Sequence, residues 1–99
     1  MGRMNAWLRE IDRATTEAEI VAQTRDFFSL VHPRDLAFLP EAQRTIRIDS
    51  DGDIPLLRER LVQGSLHTLT TAHDADRVRE MLSYLSKAAE RLGEIRSSH

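Results

Sequence analysis

The chain has 99 residues, 40% hydrophobic and 30% charged, with 14 basic and 16 acidic side chains for a net charge of −2. That is enough chain for one domain, residues 1–99. It is too apolar for disorder, and it lacks the basic excess that draws proteins to nucleic acid or anionic membranes. Cysteine is absent, which excludes disulfides, zinc–thiolate sites and thiol catalysis.

No apolar run approaches the length of a membrane-spanning helix. The opening Met1-Gly2-Arg3-Met4 leads into an amphipathic stretch and not into a signal-peptide core, so a cytoplasmic protein is expected. Met4 offers an alternative start. Arginine outnumbers lysine thirteen to one, a bias associated with GC-rich bacterial genomes. Residues 1–3 and 97–99 are expected to be disordered, as chain ends often are.

The first helix is expected over residues 4–13. Met4, Trp7, Leu8 and Ile11 recur at i, i+3, i+4 and i+7 and share one face. Trp7, the only tryptophan, suits either the capped end of a core or an interface anchor. Thr15-Thr16 then interrupt the pattern. Thr16-x-x-Glu19 has the form of a capping box and opens a second helix over residues 17–32, with Ile20, Val21, Thr24, Phe27, Phe28 and Val31 as its inward stripe. Pro33 ends it, because proline has no N–H to donate and disfavours helix at the residue before it.

Residues 34–39, bounded by Pro33 and Pro40, read as a short helical turn. Residues 41–50 carry little pattern. Thr45-Ile46-Arg47-Ile48 alternates polar and apolar, but one isolated strand makes no sheet, so the segment is expected to be loop. The acidic turn Asp49-Ser50-Asp51-Gly52-Asp53 leads into a third helix over 54–69, with Asp53 as N-cap and Pro55 in the first turn. Ile54, Leu57, Leu61, Gly64 and Thr68, with Val62, Ser65 and Leu69, form its inward rows. Gly64 and Ser65 are small enough to let a neighbour approach.

A short link at 70–73 favours an antiparallel hairpin with the fourth helix, residues 74–96, capped by Thr71 or Asp74. Val78, Met81, Leu85, Ala88, Leu92 and Ile95 are spaced 3-4-3-4-3, the seam of a helix pair, widened by Leu82 and Ala89. The expected fold class is therefore all-α. The architecture is a small bundle of four main helices plus one short turn, with the second helix packed across the hairpin.

The chemistry-bearing motifs are weak. Asp49-x-Asp51-Gly52-Asp53 resembles the opening of a calcium-binding EF-hand loop. Counted from Asp49, however, position 6 is Ile54 where the loop needs glycine, and position 12 is Arg60 where it needs a bidentate glutamate. His67, His73, Asp74 and Asp76 could ligate a metal individually but lack the i, i+4 spacing that sets two imidazoles on one helix face. No serine lies in a Gly-x-Ser-x-Gly elbow, and no glycine-rich phosphate loop exists. A helix-turn-helix over residues 17–39 is undercut by Pro33, by a short second helix and by dispersed basic residues. No metal, no cofactor and no enzymatic activity are expected.

Two features suggest binding. Arg58 falls within the apolar sector of the third helix, where a charge is costly unless its stem packs and its head reaches water or a partner. It is the candidate for an anion or small-ligand site. Leu30, Leu56, Leu66 and Tyr84 lie off the main stripes and, with Trp7, are candidates for an interface. The leading expectation is a non-enzymatic protein–protein interaction or regulatory module that self-associates as a homodimer or meets another protein. The alternatives are a nucleic-acid-associated regulator, against which the charge argues, and a ligand-binding domain organised around Arg58.

Overall fold

The computed structural model describes the backbone of residues 2–68 and 72–97, and the side chains of 4–66 and 75–97. It is all-helical, with no strand among the described residues. The order is α1 (Gly2–Arg13), α2 (Glu17–Ser29), a 3-10 turn (Pro33–Leu36), a second 3-10 turn (Glu41–Gln43), α3 (Asp53–Thr68) and α4 (Ala72–Ser97). Residues 2, 3 and 97, expected to be disordered, are helical, since nothing at those positions breaks the ladder. Asp74 falls inside α4, which already begins at Ala72, so it is not that helix's cap; Met1, Thr71, Ser98, His99 and the side chains of His67 and His73 lie outside the described residues.

The six seam residues of α4 are all buried, from Leu85 and Ala88 at 0% exposure to Ile95 at 6%. Their heptad spacing makes α4 the common wall of the bundle. At 26 residues and about 1.5 Å per residue, it accounts for most of the 42 Å long axis. Side-chain pairs set the direction of each neighbour. Arg58 bonds Ser86 and Asp51 pairs with Arg96, so α3 runs antiparallel to α4 as the hairpin requires. Phe27 stacks on Tyr84 and Glu17 pairs with Arg96, so α2 is also antiparallel. Trp7 meets Tyr84 and Asp12 meets Lys87, so α1 runs parallel to α4.

Three local expectations need correction. α2 ends at Ser29, three residues early. His32 is already extended (φ −69°, ψ 139°), as the following proline demands, and Leu30 and Val31 close the helix with bonds to carbonyls three residues back. Asp53 is the first helical residue and not the N-cap. Its Oδ2 reaches back to accept from the N–H of Asp49 (2.8 Å) and Ser50 (3.0 Å). The Asp53 N–H in turn bonds the Ser50 carbonyl (3.1 Å), closing a turn just before the helix. The two bonds to its carboxylate, the first the larger, hold the Asp53 carboxyl below its ordinary range. Thirdly, Leu82 and Ala89 are only half-buried, whereas Tyr84 on the opposite side of the seam is fully buried. The face is widened toward α1 and α2.

The Thr16 cap forms as expected: Thr16 Oγ1 accepts from the Glu19 N–H (3.1 Å), and the hydroxyls of Thr15 and Thr16 both donate to the Glu19 carboxylate. The irregular segments are held from outside by arginines. Arg91 donates through Nε and Nη2 to the Ala14 carbonyl (3.1 and 2.8 Å). Arg25 does the same to the Ile48 carbonyl (3.0 and 2.7 Å). Arg44 reaches the Leu39 and Ala37 carbonyls, and Arg60 those of Gln43 and Thr45. A guanidinium can aim two N–H donors at one oxygen, which lysine cannot do with the same fixed geometry.

Two glycines should respond oppositely to the same change. A Cβ at Gly64 would sit 2.6 Å from Leu39 Cδ2 and 3.2 Å from the Phe38 ring, whereas at Gly93 it would meet nothing within 4 Å. Gly93→Ala should stabilise the fold by about 1 kcal/mol through helix propensity. Gly64→Ala should destabilise it by about 1 kcal/mol net, because overpacking against buried Leu39 outweighs that gain. Chemical denaturation of both variants checks the pair, and equal shifts would refute the close approach at Gly64.

Candidate functional site

A concavity with aromatic walls lies at one end of the bundle. There α1, the end of α2, the Pro33–Leu36 turn and the early turns of α4 meet. It is a groove of about 400 Å³. Met4 and Trp7, one helical turn apart on α1, form one wall. Phe27 forms the floor. Leu30, Val31 and Asp35 form the second lip, and Arg77, Glu80 and Met81 of α4 the third.

Each wall has a local cause. The spacing that turns Trp7 toward the core leaves it only half-buried, because it sits where α1 overhangs the bundle's end. Its indole packs edge-on against Phe27 (centroids 5.5 Å apart) and Tyr84 (6.3 Å). Phe27 in turn stacks flat on Tyr84 at 4.1 Å. The aromatic cluster fixes the rings, so the groove wall is rigid. Leu30 caps α2 outside its helical stripe and is 74% exposed.

The rim is charged. Arg77 pairs with Glu80 at 3.1 Å, both side chains about half exposed. Asp35 is half-buried, and its carboxylate has no hydrogen bond or ion pair among the described residues. An apolar floor with fixed aromatics, two methionines and a mixed rim can take one or two large apolar side chains together with a cationic group.

The sequence-derived candidates fall in different places. Trp7 and Leu30 come together in this groove. Tyr84 does not belong to an interface: it is 0% exposed and lies in the core beneath Trp7. Its position one residue before the seam hid this, because the seam alone does not reveal that α2 covers that flank. Leu56 and Leu66 are exposed on α3 at 65% and 67%. Ten residues separate them, about 15 Å along the axis, and Gln63 bonded to Glu59 (3.2 Å) lies between, so they form no continuous patch. Arg58 is exposed, with Nε donating to Ser86 Oγ (3.2 Å), and it lines neither this groove nor another concavity described here.

The carboxylates of the acidic turn are already engaged. Asp53 accepts backbone N–H groups, Asp51 pairs with Arg96, and Asp49 lies 3.9 Å from Arg47. Asp35, Arg77, Glu80 and Met81 were invisible as site residues in the sequence. They come from separate segments, and no linear spacing joins the turn to α4. The chain matches no protein-family model, no curated protein and no solved structure.

Proposed function

We propose that the protein is a non-enzymatic interaction module that binds an apolar, positively charged protein segment in the Trp7 groove. The observation that supports this reading is an open groove with a fixed tryptophan and two methionines, edged by an exposed leucine and a half-buried carboxylate that has no partner among the described residues. Tryptophan is among the residues enriched at binding hot spots, and methionine adapts to varied apolar partners. Asp35 supplies the charge preference, because a carboxylate with no cation beside it among the described residues favours a lysine or arginine from outside.

Trp7 reports on its own site, since it is the only tryptophan. Titrating a short amphipathic helical peptide of leucine and lysine should shift Trp7 emission to the blue in a saturable way. Asp35→Asn should weaken binding by roughly 3- to 10-fold. An emission spectrum indifferent to the peptide up to millimolar concentration would overturn the reading.

A further inference from the structure

We infer that the groove's physiological occupant is Leu30 of a second copy of this chain, held in a two-fold symmetric dimer; this rests on the reading of the groove as a protein-binding site. A two-fold interface is self-complementary: the same patch must supply both a projection and the cavity that receives it. This patch does. Leu30, 74% exposed, stands on the lip of the groove floored by Phe27 and walled by Trp7 and Met81. The exposed leucines of α3, Leu56 and Leu66, do not line this groove.

The charges obey the same symmetry. One lip of the groove carries Leu30 and Asp35, and the lip formed by α4 carries Arg77, Glu80 and Met81. A two-fold that sets Leu30 into the partner's groove carries Asp35 toward the guanidinium on the partner's opposite lip. The reciprocal contact forms at the same time. Arg77 already donates to Glu80 through Nη1, but a guanidinium has five N–H donors, so it can keep that bond and donate to a second carboxylate. The unpaired state of Asp35 in one chain is then accounted for by its pairing in two. An interface built on one leucine per side and two ion pairs belongs to the small, reversible class.

Sedimentation equilibrium from about 10 µM to about 1 mM, read alongside Trp7 emission, tests this. The apparent mass should rise from 11.3 kDa toward twice that value, with a parallel blue shift. Leu30→Asp should remain monomeric across the range with an unchanged helical spectrum, since the side chain lies outside the core. Asp35→Arg and Arg77→Asp should each weaken association at least ~10-fold, and the double exchange should recover most of it. A wild-type chain that stays monomeric while the leucine–lysine peptide still shifts Trp7 would overturn the dimer and leave the groove reading standing. A monomer indifferent to the peptide would remove both. Undiminished association of Leu30→Asp would place the contact on another face and overturn the inference.

Discussion

Tyr84→Ala is expected to lower the unfolding free energy by about 4 kcal/mol, the cost of emptying a fully buried aromatic site. A domain of this size has only about 5–15 kcal/mol in total, so the melting temperature should fall by about 20 °C or more. The reason is the position of the ring. It stacks on Phe27 at 4.1 Å with the planes 7° apart and meets the edges of Trp7 and Phe28. Removing it takes away the common neighbour of α1, α2 and α4 at once. Tyr84→Phe is the companion variant. The Tyr84 hydroxyl is buried without a well-formed hydrogen bond, and the nearby Thr24 hydroxyl donates instead to the Ile20 carbonyl (2.8 Å). Deleting the hydroxyl keeps the ring and removes an unsatisfied polar atom, so Tyr84→Phe should be at least as stable as wild type. Thermal and urea unfolding of the two variants side by side checks this. A Tyr84→Phe variant that loses more than about 1 kcal/mol would show that the hydroxyl is bonded after all.

The same residue should make the fold sensitive to alkali. Burial pushes the Tyr84 phenol up to about 12 from its ordinary 10.0, with a small opposing effect from Thr24. The folded state therefore favours the neutral phenol. Its contribution is fully present below pH 10 and lost as pH rises from 10 to 12. Two units correspond to about 3 kcal/mol. Stability measured between pH 9 and 12 should fall by that amount in the wild type and by much less in Tyr84→Phe. The comparison isolates Tyr84 from Lys87, whose hydrogen bond and charge pairing with Asp12 also raise its pKa and are retained in the variant. Tyr84 is the only tyrosine, so phenolate absorbance follows it alone. Titration at an ordinary pKa in the native protein would refute this account.

The helices were legible in the sequence because their signals are local. The 3-4 spacing of Val78 to Ile95 and the Thr16–Glu19 cap each need only a few neighbouring residues to act, and both formed as read. Errors arose where two local rules competed. Asp53 looked like a cap by residue type, yet its carboxylate turned back to the N–H groups of Asp49 and Ser50, and the residue itself became the first of the helix. Tyr84 looked like a spare apolar residue because a seam defines a line, while burial depends on which helices flank it. The candidate site was legible only in Trp7 and Leu30, one by its rarity and the other by its misfit to the α2 stripe. Asp35, Arg77 and Met81 join them through the crossing of α2 and α4, which no spacing encodes. The arginine clamps on Ala14 and Ile48 were equally hidden, since a carbonyl acceptor leaves no trace in residue type.

The arginines of α4 have a further consequence for how the chain is made. Arg91 closes on Ala14 across 77 residues, and Arg96 on Glu17 across 79. A growing chain emerges from the ribosome α1 first, yet α1, α2 and α3 all rest on α4, which is synthesised after them. Bundles whose contacts are mostly local can fold piecewise during translation. Here the earlier helices would leave the exit tunnel with their apolar stripes uncovered, and loops of that length carry a larger closure entropy than short ones. Native assembly must wait until α4 is out. The helices made first are thus expected to complete their packing only once α4 has emerged.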